Sequence, residues 1–383
     1  MKASRRAKAS AWWQLAVGVA ATVGCQRETT HVEPRGAEPW RAVAVLATDD
    51  NASFVLEGIE EGYAGVRWAD GAFAFLDYRA KRIVVLDTTG REVRTIARGG
   101  GAPGELQFPQ MLVRSRQGIG VVDGQKRALV TFDTTGRALG DLPLDTLLGV
   151  PPSLLTGLRQ LTSGEWVYSV IEHSPGHRAE ALYIRRGREA QLLARTPVAT
   201  TRPIMMPCRV ELPPEPPVFW PTIRWNASGT RVAFVTGADY HVVSWDAEGG
   251  DSVVYSLPLA RLQASDSAAL QLPIGYSVRT PMAECTLSAR DALRQRGMAP
   301  ERPLVAAVAV SPSGQVWTRL SVGSSGAITG YRHAGDRTDS LPTRGFPAIF
   351  ESDSRYLSVE RDREGGARLV LWQRQGASDG VPR

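Results

Sequence analysis

Three arginines, Arg67, Arg159 and Arg224, fall on short stretches that read as strands, with Trp68 beside the first and Gln110 on a fourth such stretch. A guanidinium carries five N–H donors in a fixed fork that matches the oxygens of a carboxylate or phosphate. If those strands surround one axis, the side chains converge there on a small anionic ligand. In the opposing reading each arginine pairs with a neighbouring acid, Asp70 in the case of Arg67, and ties strands together. A shift of one residue in register would turn the same side chains into packing.

Other reactive groupings are sparse. His173 and His177 are four apart, but Ser174-Pro175-Gly176 between them makes a turn, so they share no helical face and read as a solvated hairpin. No Gly-x-Ser-x-Gly elbow, His-Glu-x-x-His or paired-Cys motif is present, and no catalytic residue, metal ligand set or cofactor is assigned. Cys208 and Cys285 are too far apart in sequence, and too far from any histidine, for a zinc site. Trp166, Trp225, Trp245, Trp317 and Trp372 lie on strands and read as packing, or as a carbohydrate platform.

The elements that position these residues repeat. From Asp87 to Asp133 is 133 − 87 = 46 residues and from Gly71 to Gly118 is 47, a blade-sized period. In the first copy an inner strand, 65–68, precedes alternating runs at 72–76, 82–86 and 92–96, joined by polar turns that include the twin Asp-Thr-Thr-Gly-Arg sequences at 87–91 and 133–137. Such patterning predicts half-buried antiparallel strands. The glycine-rich Arg98–Pro109 is the crossing to a second blade, whose inner strand begins at 110–113; with no Gly-Lys-Ser/Thr after it, it is no phosphate loop. Further inner strands are expected at 154–161, 222–225, 304–310 and 346–350. The fold class is all-β, a six-bladed propeller of four-stranded antiparallel blades.

Gly71, Asp77, Arg82, Asp87 and Gly90, followed by Gly-Ala-Pro-Gly-Glu-Leu-Gln-Phe-Pro109, resemble the six-bladed propellers of bacterial envelope lipoproteins, relatives of the NHL-repeat and TolB-like propellers. The resemblance covers 65–140 closely and implies that Asp77 and Arg82 tie a hairpin; Asp123 and Arg127 repeat the spacing one residue shorter. It implies fold more than activity, since propellers host unrelated functions. One class is a noncatalytic ligand- or protein-binding module of the cell envelope. The alternative is a hydrolase or lyase of the lactonase or amidating-lyase type, with acids converging on a channel metal. The expected inner strands offer arginines, Gln110, Gln160 and Asn226 but few carboxylates, which favours binding.

Residues 1–24 combine Lys2, Arg5, Arg6 and Lys8 with a short apolar run ending at Cys25, and read as a signal peptide of the lipoprotein type. Val23-Gly24-Cys25 is similar to the end of a lipobox, with Cys25 as the lipidated residue and membrane attachment through that lipid. Gln26 in place of Asp then directs the protein to the outer membrane, facing periplasm or exterior. Removing 1–24 lowers the formal charge from +6 to 6 − 4 = +2, so the basic composition does not imply nucleic acid. Residues 25–39 read as a tether and 40–383 as one propeller domain, expected to be monomeric.

A strand at 40–47 precedes the repeats, while the last blade lacks an outer strand, so the first is expected to complete the last. Two interruptions are expected: a proline-rich connection over 196–221 and a helical insertion over 260–303, with Ser288 to Asp291 as a capping box and Gly297 as the stop. Each holds one cysteine, so in an oxidising compartment a Cys208–Cys285 disulfide joins them.

Overall fold

The computed structural model describes residues 26–28, 40–49, 54, 56, 59, 63–149, 155–174, 177–199, 201–279, 284–321, 329–341, 345–361 and 366–375. Residues 1–24, which the sequence reads as a signal peptide, Cys25 and residues 29–39 lie outside these.

Six four-stranded antiparallel sheets follow one another as propeller blades. Blade one runs from Gly65–Arg67 at the axis through Phe73–Asp77 and Arg82–Leu86 to Glu92–Ile96 at the rim; blade two comprises Pro109–Ser115, Gly118–Asp123, Ala128–Asp133 and Ala138–Pro143. The inner strands of blades three to six are Leu155–Gln160, Arg224–Ser228, Val305–Val310 and Ile349–Ser352. The ring closes as the termini predict: Trp40–Thr48 pairs antiparallel with Ala367–Arg374 as the outer strand of blade six. Gln26–Glu28 adds to blade four in parallel, on its outer strand Ser252–Ser256.

Alternation understates burial in the middle of each blade. Phe73–Asp77 is buried at every position, because a blade is sandwiched between two neighbours and both faces of its central strands are covered. The rim strand Glu92–Ile96 is exposed except at Ile96. Phe73, Phe75 and Ile83 are wholly buried where blades six, one and two meet, each worth about 1.5–3 kcal/mol by transfer from water. Trp40 brings the closing strand into a second cluster with Trp317, Tyr356 and Trp372.

The turns are built by aspartates. Asp87 Oδ1 accepts from the N–H groups of Thr89 and Arg91 and from the Thr89 hydroxyl, and Asp133 does the same with Thr135 and Arg137. Those donors hold both carboxyls below the usual range, Asp87 at about 2. Arg82 pairs with Asp77 at 3.3 Å, as the resemblance implies. In the second blade Asp123 stands opposite Ala128, the position equivalent to Arg82, and Arg127 occupies the left-handed corner that Lys81 fills in the first. The register is therefore conserved and the arginine is displaced by one. Asp123 turns instead to the glycine-rich crossing, accepting from the N–H groups of Gln107 and Phe108.

The proline-rich connection holds one short ladder, Ile204–Met205 with Glu211–Leu212, where none was expected. The second insertion is mixed: helices Asp266–Ala269 and Ala289–Arg296 accompany a hairpin, Tyr276–Arg279 with Glu284–Leu287. Ser288 caps the second helix by accepting from the Asp291 N–H, and Gly297 ends it at φ 72°. The two insertions pack into one lobe around Ile204, Met206, Leu287 and Ala292, with Cys208 and Cys285 joined by a disulfide.

Candidate functional site

At the end of the axial channel where the insertions lie, the inner strands of blades three to five, with Pro347 and Ala348 of blade six, open into a cavity of about 720 Å³. Val198 and Pro216 from the first insertion and Leu272 from the second reach its wall. Four arginines line it: Arg159 on the inner strand of blade three, Arg178 on its third strand, Arg224 on the inner strand of blade four, and Arg319 on the second strand of blade five. Among the described residues Glu180 is the one carboxylate in the lining.

Burial pulls the Arg159 guanidinium down to about 10, so it stays cationic at neutral pH, and its Nη1 donates to the Leu158 carbonyl at 2.8 Å. Glu180 accepts from the Ile223 N–H at 2.8 Å; burial raises its carboxyl, opposed by that N–H and by Arg224. Arg178 Nη1 donates to the Pro214 carbonyl at 3.2 Å, but its Nε is buried without a hydrogen-bond partner, as is Thr222 Oγ1. Both atoms are closed off from the lumen, and a buried polar atom left unpaired costs on the order of 1–3 kcal/mol.

Aromatic side chains complete the wall. Trp225 Nε1 donates to Ser169 Oγ at 2.9 Å, and its indole lies on the inner strand of blade three. Only glycine permits this: a Cβ on Gly157 would stand 2.8 Å from Trp225 Cζ2. The Arg319 guanidinium sits 5.6 Å from the Phe346 ring centroid, a cation–π contact.

Of the residues singled out by sequence, Arg159 and Arg224 meet in this cavity. Arg67, on the inner strand of blade one, lies outside the lining, with Arg114 near enough that its charge, after burial, lowers the Arg114 pKa. Trp68 is buried in the core between blades six, one and two. Gln110 sits exposed at a bulge where blade two begins, beside Gly124. His173 and His177 are exposed at the end of a hairpin. Arg178 and Glu180 escaped the sequence reading because the hairpin of blade three, Trp166–Ser174 with His177–Arg186, is longer than the other blades suggest and carries them onto the channel mouth.

No family model matches this sequence, and no curated protein matches it. Solved structures do match in shape. A Bacteroides fragilis protein provisionally described as exported aligns over 89% of this chain and 98% of its own, at 11% identity and TM-score 0.50. Regucalcin from Agrobacterium tumefaciens, a calcium-binding protein, aligns over 89% and 97% at 12% identity and TM-score 0.42. Virginiamycin B lyase from Staphylococcus aureus aligns over 87% and 98% at 11% identity and TM-score 0.34. At such identities the likeness shows the propeller fold and nothing of the chemistry.

Proposed function

We propose that this chain is an exported, lipid-anchored β-propeller of the bacterial envelope, akin to the NHL-repeat and TolB-like propellers, that binds a small anionic ligand at its channel mouth. The observation that carries the reading is the cavity's charge: among the described residues, four guanidiniums against one carboxylate. A channel metal of the lactonase type would call for several oxygen donors, and the described residues of this wall offer one carboxylate. The signal-like segment 1–24, Cys25 and the disulfide support export.

Titration calorimetry with a panel of carboxylates and phosphorylated sugars tests the site. Wild type binds at least one, and Arg178→Ala with Arg224→Ala weakens it tenfold or more; no binding in wild type, or binding indifferent to the substitutions, removes the site. Fractionation tests the anchor. Cys25→Ser releases the protein from membranes, whereas continued membrane residence identifies the segment as an uncleaved anchor.

A further inference from the structure

The cavity is two-sided, and this restricts its ligand further. All the lining arginines but Arg319, and Glu180, the one carboxylate among the described residues, belong to blades three and four, where Arg159, Arg178 and Arg224 line the lumen with Thr222 and Asn226. The wall from blades five and six is Ala306, Ala307, Val308, Phe346, Pro347 and Ala348, and Ile171, Ile223 and Trp225 add apolar surface beside the arginines. The cation on that side, Arg319, lies over the Phe346 ring. A polyanion such as citrate or a sugar phosphate would set polar groups against that wall and leave them without partners. A chamber of about 720 Å³ also exceeds what an inorganic anion fills, and falls in the range of roughly 300–1,000 Å³ typical of organic ligands.

We infer that the ligand is an apolar-bodied monocarboxylate, its head on the Arg178–Arg224 wall and its aliphatic or aromatic body against blades five and six. This rests on the anion-binding reading above and narrows it. The carboxylate supplies acceptors to the Arg178 and Arg224 guanidinium groups, while the body takes the place of water on the alanine and phenylalanine surface.

Calorimetry on the mature protein decides, with octanoate and 4-phenylbutyrate as probes, their primary amides as uncharged matches, and citrate and inorganic phosphate as polar anions. The acids should bind at least tenfold tighter than the amides and than either polar anion, with a negative heat-capacity change that reports apolar burial independently of any variant. Arg224→Ala should weaken the acids tenfold or more, and Ala307→Glu should do the same from the blade-five wall. Tighter binding of citrate or phosphate, or amides equal to acids, would overturn the monocarboxylate assignment and leave the anion reading or the cavity itself standing. No binding by any probe overturns both.

Discussion

The hydroxyl of Tyr240, on blade four, stands 2.7 Å from Nε2 of His333, on blade five, and joins the two blades through a buried polar contact. The same hydroxyl meets Thr318 Oγ1 at 2.6 Å, His333 Nδ1 meets Thr338 Oγ1 at 2.9 Å, and Tyr255 stacks on the imidazole at 4.2 Å. Burial pushes the His333 pKa down to about 3, with Asp339 opposing. The folded state therefore holds this histidine neutral where the unfolded chain, near pH 6.5, would protonate it. Stability is unaffected above pH 6.5 and falls as the pH drops from 6.5 towards 3, with a slope approaching about 1.4 kcal/mol per pH unit. His333→Gln should unfold more easily at pH 7 yet lose most of that slope, as read by denaturant titration across the window. An unchanged slope would place the acid sensitivity elsewhere.

The twin turns respond differently to the same change. A Cβ on Gly90, at φ 86°, would stand 2.4 Å from the Leu46 carbonyl oxygen, backbone of the closing strand. On Gly136, at φ 83°, the nearest atoms would be side-chain atoms of Ile96, at 3.0 Å, and Arg94, at 3.6 Å, which can move. Gly136→Ala should cost about 1 kcal/mol from the left-handed backbone, and Gly90→Ala at least about 1–2 kcal/mol more, because backbone must shift. Thermal melts of the two variants check the order.

Deleting residues 40–48 should open the ring. The last blade then loses its outer strand, and Trp40 leaves the cluster it forms with Trp317, at 5.4 Å between ring centroids, and Tyr356, at 4.9 Å. The truncated protein is expected to unfold without a cooperative transition. A melt with the wild-type midpoint would show that the strand contributes nothing to closure.

Thiol titration of the denatured, unreduced Cys25→Ser protein should find no free thiol. Reduction should lower stability by about 4 kcal/mol on the chain-entropy model for a crosslink separated by 77 residues, less if the reduced chain keeps residual structure. The loss should be largest at the lobe, read by faster amide exchange at Ile204 to Met206 and at 285–287.

The fold was legible because turn chemistry repeats with the blade: Asp87 and Asp133 build the same turn from the same residues 46 positions apart (133 − 87). The site was legible only where an arginine sits on an inner strand, as Arg159 and Arg224 do. Arg178 reaches the lumen because a hairpin overshoots its blade, and Arg319 comes from a second strand, where alternation implies packing between blades. Neither leaves a period in the sequence. Arg67 shows the converse: it is an inner-strand arginine that does not line the cavity, because spacing gives the strand and not where its side chain ends.

The Cys208–Cys285 crosslink leaves blade four, residues 224–256, wholly within its loop. Tension applied through the two ends of the chain therefore passes from 208 to 285 by way of two sulfur atoms and bypasses everything between. Some 77 residues, roughly 270 Å of contour at full extension, stay out of the load path. Blade four, with Arg224 and Trp225, and the parts of the two insertions between the cysteines would be the last part of the molecule that mechanical unravelling could draw out, and only after reduction.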